Sequence, residues 1–156
     1  MVKEIRFVSP TGPYWFLSPY AEFPITMNVD GKVMTFQTVE HYYQSMKFYS
    51  DDPRFDYIRN LKNPDDTRIF AKQKEYQINR RVDFDKIKFQ IMQDAMTAKF
   101  QQNPDAKDLL LSTGDAVLIK SCKSAGFECY QCGFGEGSGL NTTGKILMKI
   151  RDDLRK

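Results

Sequence analysis

A long helical repeat of apolar residues constrains the fold of this chain more than any other feature of its sequence. Apolar side chains recur there at spacings of three and four, at Phe84, Ile87, Ile91, Ala95 and Ala98. That spacing places them on one face of an α-helix. Asp83 is a suitable N-terminal cap, so the sequence predicts a helix from Asp83 to about Gln102 with one buried face.

A β-hairpin is the clearest strand signal. Ile25–Val29 and Val33–Phe36 are rich in strand-forming residues and flank the tripeptide Asp30-Gly31-Lys32. Asp-Gly is favoured in two-residue hairpin turns because both positions require positive φ. Ile5–Ser9 also has strand character, and Ala116–Ile119 has the composition of a short buried strand.

Capping residues and helical spacing predict five further helices. They begin after cap Thr38, at Arg54 (to Leu61), at Pro64 after cap Asn63 (to Gln73), at Asn103-Pro104, and after cap Asn141. Helices thus outnumber strands. We expect a single compact α+β domain over residues 1–156, mainly helical with a small β-hairpin or sheet.

The composition argues against several classes of protein. No apolar run approaches the roughly 18 residues of a membrane span, so a soluble protein is expected. The net charge of +3 comes from basic residues scattered among acids, and it does not by itself indicate nucleic-acid binding. The sequence starts without a secretory signal and has three cysteines, an odd number, which favours reduced thiols in the cytoplasm.

The first candidate site lies on the helix that follows Thr38. Glu40, Gln44 and Lys47 are spaced by four and three residues, which places a carboxylate, an amide and an ammonium on one helix face. The buried face is predicted at other positions, namely Val39, Tyr42, Tyr43 and Met46. An ordinary exposed polar face with a Glu to Lys contact explains the same spacing. Both interpretations stay open at this point.

The cysteines suggest a metal site, but their spacing argues against one. Cys122, Cys129 and Cys132 could form a Cys₃His zinc site with His41, the single histidine. Structural zinc sites usually combine two paired ligand modules, whereas this loop holds one Cys-x-x-Cys pair. A redox Cys-x-x-Cys normally opens a helix, and Gly133-Phe134-Gly135 does not resemble a helix start. We therefore expect no metal, and a structural hydrogen-bonding role for His41.

A glycine-rich segment is the second candidate site. Gly133, Gly135, Gly137 and Gly139 precede the helix capped by Asn141. Glycines allow close approach of the backbone to a ligand, and a helix N-terminus offers free N–H groups and a positive dipole to a phosphate. The pattern is neither a P-loop nor a dinucleotide fingerprint. A surface loop before a helix is the alternative.

Five segments also form an ordered pattern along the chain. They are Phe7–Ile25, Glu40–Gln44 with Lys47-Phe48, Ile91–Leu110, Leu110–Ala116 and Gly137–Arg151. The most specific are the Glu-His-Tyr-x-Gln-x-x-Lys-Phe motif at 40–48 and the last helix, which begins at Asn141 and contains Gly144. This pattern resembles the YbiA-like or NADAR family along nearly the whole chain.

The resemblance implies an α+β fold whose members hydrolyse N-glycosidic bonds without a metal or other cofactor. It implies that the substrates are phosphorylated riboflavin-pathway intermediates or ADP-ribose attached to nucleobases. Glu40 is then the main catalytic carboxylate, and a second family acid falls on Glu128, with Tyr130 as the aromatic residue after it. The chain departs from the family pattern at Gln131, where tryptophan is usual, and at Pro19, where asparagine is common.

The resulting hypothesis is an N-glycosidase that hydrolyses the C1′–N bond of a phosphorylated N-riboside. Glu40 stabilises the ribosyl cation or activates water, and Glu128 assists. The expected substrate-binding residues are Lys47, Gln44, Tyr14, Trp15, Tyr130, Gly137 and Asn141. The expected ligand is a phosphorylated riboside or ADP-ribose-like small molecule, or else ADP-ribosylated nucleic acid, and not a membrane. The alternative, motivated by Gln131 and Pro19, is a module that binds ADP-ribose or a nucleotide without hydrolysing it.

Overall fold

A computed structural model of the chain describes residues 3–7, 11–121 and 141–156. Within these residues the strands are β1 (Glu4–Phe7), β2 (Ile25–Val29), β3 (Lys32–Phe36) and β4 (Val117–Lys120). The helices are α1 (Val39–Ser45), α2 (Pro53–Arg59), α3 (Pro64–Ala71), α4 (Lys74–Ile78), α5 (Phe84–Gln102), α6 (Pro104–Ser112) and α7 (Thr142–Leu154). A 3₁₀ turn covers Trp15–Leu17. The predicted α+β class, mainly helical, is confirmed.

The chain divides into two units, which we describe separately. The terminal unit combines Met1–Ala21 with Asn103–Lys156, and the central unit is Glu22–Gln102. The central unit holds the hairpin and α1 to α5, and the terminal unit holds β1, β4, α6 and α7. One domain over residues 1–156 stays a prediction.

The hairpin of the central unit agrees with its sequence signal. β2 and β3 pair antiparallel, with Ile25 opposite Phe36 and Val29 opposite Lys32. Asp30 and Gly31 have φ values of 51° and 84°, the positive pair that a two-residue turn of this kind requires. The predicted Asp-Gly hairpin is confirmed.

The long helix α5 is also confirmed, and its last residue ties it to the hairpin. Phe84, Ile91, Ala95 and Ala98 are buried as predicted, whereas Ile87 is only half-buried. The Gln102 side chain then pairs with the backbone of Thr26 as a neighbouring strand would. The backbone N–H of Thr26 donates to Gln102 Oε1 at 2.7 Å, and Gln102 Nε2 donates to the carbonyl of Thr26 at 2.9 Å. These bonds fix the end of α5 against β2.

α2 and α3 begin and end within two residues of the predicted bounds, and Asn63 caps α3 as predicted. The N–H of Asp65 donates to the side chain of Asn63 at the start of α3, and that of Arg54 donates to Asp52 at the start of α2. Pro53 and Pro64 occupy first helical positions, where the missing N–H has no consequence. The sequence interpretation did not include α4.

A parallel pair of strands organises the terminal unit. β1 pairs with β4, with Glu4 opposite Val117 and Phe7 opposite Lys120. α7 packs on β4, and α6 packs on both α7 and the 3₁₀ turn. Gly144 allows the close approach of α7 to β4, because a Cβ atom there would lie 2.1 Å from the carbonyl oxygen of Leu118.

The helices of residues 3–7, 11–121 and 141–156 include none with the length and apolar content that a membrane span requires.

Candidate functional site

A buried carboxylate–amide pair on α1 is the centre of the candidate site. Gln44 Nε2 donates a hydrogen bond of 2.6 Å to Glu40 Oε1, one helical turn away. Glu40 is 6% exposed and Gln44 is 3% exposed. In such surroundings the interaction of a charge with a nearby dipole is stronger than in water. The carboxylate is therefore held in one position in a low-dielectric environment.

Of the two interpretations left open for this face of α1, the ordinary exposed polar face is wrong for Glu40 and Gln44, and tertiary packing is the reason. α1 packs against α2, α3 and α5, so neighbouring helices cover it on several sides. His41, like the carboxylate–amide pair, is buried, whereas Tyr43 and Met46, predicted to be buried, are only half-buried. Helical spacing identifies which residues share a face, but it does not show which faces the neighbouring helices cover.

Lys47 does not share the helix with this pair. α1 ends at Ser45, so the predicted face of Glu40, Gln44 and Lys47 is wrong for its third member. The Lys47 ammonium lies 5.7 Å from the ring centroid of Tyr43 and 5.8 Å from that of Phe84. The side chain is half-buried. Aromatic faces attract an ammonium and reduce its hydration, which suits contact with an anion.

The neutral ring of His41 holds the start of α1. The backbone N–H of His41 donates to Thr38 Oγ1 at 3.1 Å, which confirms Thr38 as the cap. The ring Nε2–H donates to the carbonyl of Leu61 at 2.7 Å, so Nδ1 accepts from Thr38 Oγ1 at 2.8 Å. Burial lowers the pKa of His41 from its ordinary value, and the bond to Leu61 partly opposes that shift. Both ring nitrogens are engaged, so His41 is not available as a zinc ligand.

Lys99 is a candidate that the sequence interpretation missed. It is 0% exposed, on the buried face of α5, and burial lowers its pKa to about 7. Its ammonium lies 4.9 Å from the ring centroid of Phe100 and 5.4 Å from that of Phe23. A lysine next to Ala98 on the apolar stripe of the clearest helix was the available signal. Buried amines of this kind are frequent at functional sites, because they can exchange a proton near neutral pH.

In the terminal unit, the two aromatic candidates lie at the 3₁₀ turn. Trp15 is 39% exposed, and its ring meets Phe16 edge to face with centroids 6.2 Å apart. Tyr14 is half-buried and contacts the same Phe16 ring at 6.2 Å. Phe16 is buried, so both rings contact a residue of the core. Pro19, one of the departures from the family pattern, is buried close by in sequence.

Asn141 precedes α7 as predicted, but its side chain does not cap the helix. The residue has φ 50° and makes no side-chain cap bond. Its Nδ2 donates to the carbonyl of Leu118 at 2.9 Å, and the N–H of Lys120 donates to its Oδ1 at 3.3 Å. The amide therefore joins the start of α7 to β4, because α7 packs directly on this strand.

The remaining predicted residues lie outside the described part of the chain. These are Glu128, Tyr130, Gly137 and the departure Gln131, together with Cys122, Cys129 and Cys132. Among the predicted site residues, the structure brings Glu40 and Gln44 into direct contact. Lys47 follows them in the central unit, whereas Tyr14, Trp15 and Asn141 belong to the terminal unit. The described residues include no group of three His, Cys, Asp or Glu side chains that could hold a metal ion.

Known proteins similar to this chain were found by family, by sequence and by structure. The NADAR domain model matches residues 6–155. N-glycosidase YbiA of Escherichia coli is 33% identical over 150 residues, which cover 96% of this chain and 88% of that protein. A riboflavin biosynthesis protein of Vibrio vulnificus is 33% identical over 156 residues, all of this chain but 40% of that protein. The NMR structure of E. coli YbiA superimposes with a TM-score of 0.79 at 32% identity, covering 99% of this chain and 87% of that one.

Proposed function

Because this chain belongs to the NADAR family, we propose that it is an N-glycosidase that hydrolyses the C1′–N bond of a phosphorylated N-riboside. The family match and the name of the E. coli relative support the reaction type. The observation that carries the proposal is the burial of Glu40 with its Oε1 fixed by Gln44. A buried, oriented carboxylate suits a reaction in which positive charge develops on a sugar.

In the proposed reaction, the C1′–N bond breaks and its electron pair leaves with the base. Positive charge then builds on C1′ and the ring oxygen of the ribose. The Glu40 carboxylate stabilises this charge or takes a proton from the water that attacks C1′. Water supplies the new C1′–OH group and the proton that the departing base acquires. The products are ribose phosphate and free base, so the reaction needs no oxidant or metal to balance.

Binding of the phosphate is assigned first to Lys47. Its ammonium is half-buried over the rings of Tyr43 and Phe84, which limits its competition with water. The Asn141 side chain is committed to β4, so at the start of α7 the backbone N–H groups, and not this side chain, are the candidates for binding an anion. Trp15 offers the more exposed ring for the base, with Tyr14 beside it.

For the substrate, we propose a phosphorylated intermediate of the riboflavin pathway. The supporting observation is the name of the V. vulnificus relative, a riboflavin biosynthesis protein. That protein is longer than this chain, which spans 40% of it, so the name describes a larger molecule. ADP-ribosylated nucleobases are the second substrate class to assay, and Glu128, Tyr130 and Gly137 remain proposed contacts of either substrate.

The test is release of free base from both substrate classes by the parent protein and by Glu40→Ala. We expect Glu40→Ala to lose about 10²–10⁴-fold in turnover, the contribution of a positioned acid or base. Asp94→Ala is the matched control, since Asp94 is an exposed helical carboxylate that also accepts from a glutamine one turn away. It should retain parental turnover.

Two results would contradict the proposal. Equal turnover by the parent and Glu40→Ala would remove Glu40 from the mechanism. Tight calorimetric binding of intact ADP-ribose without release of base from any riboside would instead indicate a binding module.

A further inference from the structure

The carbonyl end of the Gln44 side chain is a buried acceptor without a donor among the described residues. The residue is 3% exposed, so bulk water does not reach this atom freely. Buried polar groups are almost always hydrogen-bonded, because leaving one unpaired costs about 1–3 kcal/mol. An unpaired acceptor on the side chain that also binds the candidate catalytic carboxylate calls for a functional explanation.

The orientation of this amide follows from chemistry. A carboxylate oxygen can only accept, so the end of Gln44 that lies 2.6 Å from Glu40 Oε1 must be the NH₂ end. The carbonyl Oε1 therefore points away from that oxygen. Rotating the amide by 180° would place two acceptors against each other, which Glu40 prevents. Gln44 thus presents a fixed acceptor beside the carboxylate.

We propose that Gln44 Oε1 accepts a hydrogen bond from the 2′-hydroxyl of the substrate ribose, so that the site selects ribosides against 2′-deoxyribosides. This inference rests on the proposed function, which places C1′ against Glu40. Carbon C2′ is bonded directly to C1′, so its hydroxyl is the hydroxyl of the ribose nearest to the reacting carbon. Gln44 is hydrogen-bonded to Glu40, so a ribose held with C1′ against Glu40 would bring its 2′-hydroxyl close to this amide.

The chemistry of the transition state favours the same assignment. Hydrogen bonds to the 2-hydroxyl of a sugar strengthen as oxocarbenium character develops, because the hydroxyl hydrogen becomes more acidic. A carbonyl acceptor gains from that change, whereas a donor would lose. Sites built to pair with a substrate hydroxyl also discriminate strongly against the analogue that lacks it, since the protein group is then left unpaired.

The experiment is a double-mutant cycle in which Gln44 is changed in the protein and the 2′-hydroxyl is removed from the ligand. Calorimetry measures the affinity of the parent protein and of Gln44→Met for ribose 5-phosphate and for 2-deoxyribose 5-phosphate. We expect the parent to bind the ribose compound about tenfold more tightly, and Gln44→Met to bind both equally. Loss of the donor to Glu40 affects both ligands alike and cancels in the ratio. Gln90→Met, which disrupts an exposed glutamine–aspartate pair, is the control and should keep the tenfold ratio.

The outcomes distinguish failure of this inference from failure of the proposed function. A ratio that stays near ten in Gln44→Met shows that another group binds the hydroxyl and overturns this inference. No preference in the parent, or no binding, also overturns it. If the ratio collapses in Gln44→Met while the parent releases no base from any N-riboside, the N-glycosidase proposal fails and the assignment of Gln44 stands. The test extends to the transition state when kcat/KM for a riboside is divided by kcat/KM for its 2′-deoxyriboside, and this ratio is compared between the parent and Gln44→Met.

Discussion

Two carboxylate–amide pairs in the central unit have the same chemistry and very different surroundings. Glu40 and Gln44 on α1 are joined by a 2.6 Å hydrogen bond, and Gln90 and Asp94 on α5 by one of 2.7 Å. Both pairs span one helical turn. The first is buried, and the second is exposed. Spacing therefore creates the hydrogen bond in both places, whereas tertiary packing encloses the first pair and leaves the second in water.

The difference arises from what covers each helix. α1 has seven residues and contacts three other helices, so its polar side chains are enclosed. On α5 the covered stripe includes Ile91 and Ala95, each the next residue after a member of the exposed pair. Water satisfies the remaining amide and carboxylate atoms at an exposed pair, whereas a buried pair depends on groups that the protein or a ligand supplies.

The largest expected effect comes from reversing the buried pair. The double variant Glu40→Gln/Gln44→Glu keeps an amide and a carboxylate four residues apart but moves the charge about 6 Å along the helix axis. We expect turnover of the N-riboside to fall about 10²–10⁴-fold, because the carboxylate no longer faces C1′. Steady-state release of base measures the loss.

The same exchange at the exposed pair is the control for the reversal. Gln90→Asp/Asp94→Gln should leave turnover unchanged. Parental turnover in the reversed buried pair would show that a buried charge suffices wherever it lies on α1. The position of Glu40 would then not matter for turnover, and burial alone would distinguish the two pairs.

The next effect concerns a buried cation on the same helix as the exposed pair. Burial lowers the pKa of Lys99 from 10.5 to about 7, so between these values the unfolded chain binds more protons than the folded protein. Stability should therefore rise with pH across that window, and the full cost of the buried charge applies below about pH 7. We expect Lys99→Met to stabilise the protein by about 1–4 kcal/mol at pH 6, with the gain vanishing near the upper end of the window.

Urea unfolding at pH 6, 8 and 10 measures the Lys99 effect. Lys86→Met, an exposed lysine on α5, is the control and should follow the parent at every pH. A difference between Lys99→Met and the parent that does not change with pH would contradict the assignment of a buried, titrating amine.

The smallest expected effect is on the free energy of unfolding, when each of the two glutamines is replaced by alanine. Gln44→Ala removes a buried donor to Glu40 and should lower the free energy of unfolding by about 1–3 kcal/mol. Gln90→Ala removes the same bond at an exposed position and should change it by less than about 0.5 kcal/mol. Urea midpoints at constant slope measure both values. Equal losses would mean that burial does not distinguish the pairs energetically.

Elements governed by local interactions could be predicted from the sequence. Asp30-Gly31 forms its turn because the two residues tolerate positive φ, and Thr38 caps α1 because its hydroxyl reaches the His41 N–H. Asn141 shows the limit of such rules. It stands at the helix start as predicted, yet its side chain binds β4, since a strand that adjoins this helix competes for the same amide. The parallel pairing of β1 with β4 joins segments more than a hundred residues apart, beyond what local patterns indicate.

The sequence by itself determined that Glu40 and Gln44 lie one turn apart on a helix that begins after Thr38, because helical geometry and capping depend on neighbouring residues alone. It also carried the pattern of the NADAR family, to which the chain belongs. Only the tertiary structure decided that this pair is buried, that Lys47 lies beyond the helix, and that Lys99 is enclosed. Burial depends on which distant segments pack over a residue, and burial is what gives a carboxylate or an amine its altered chemistry.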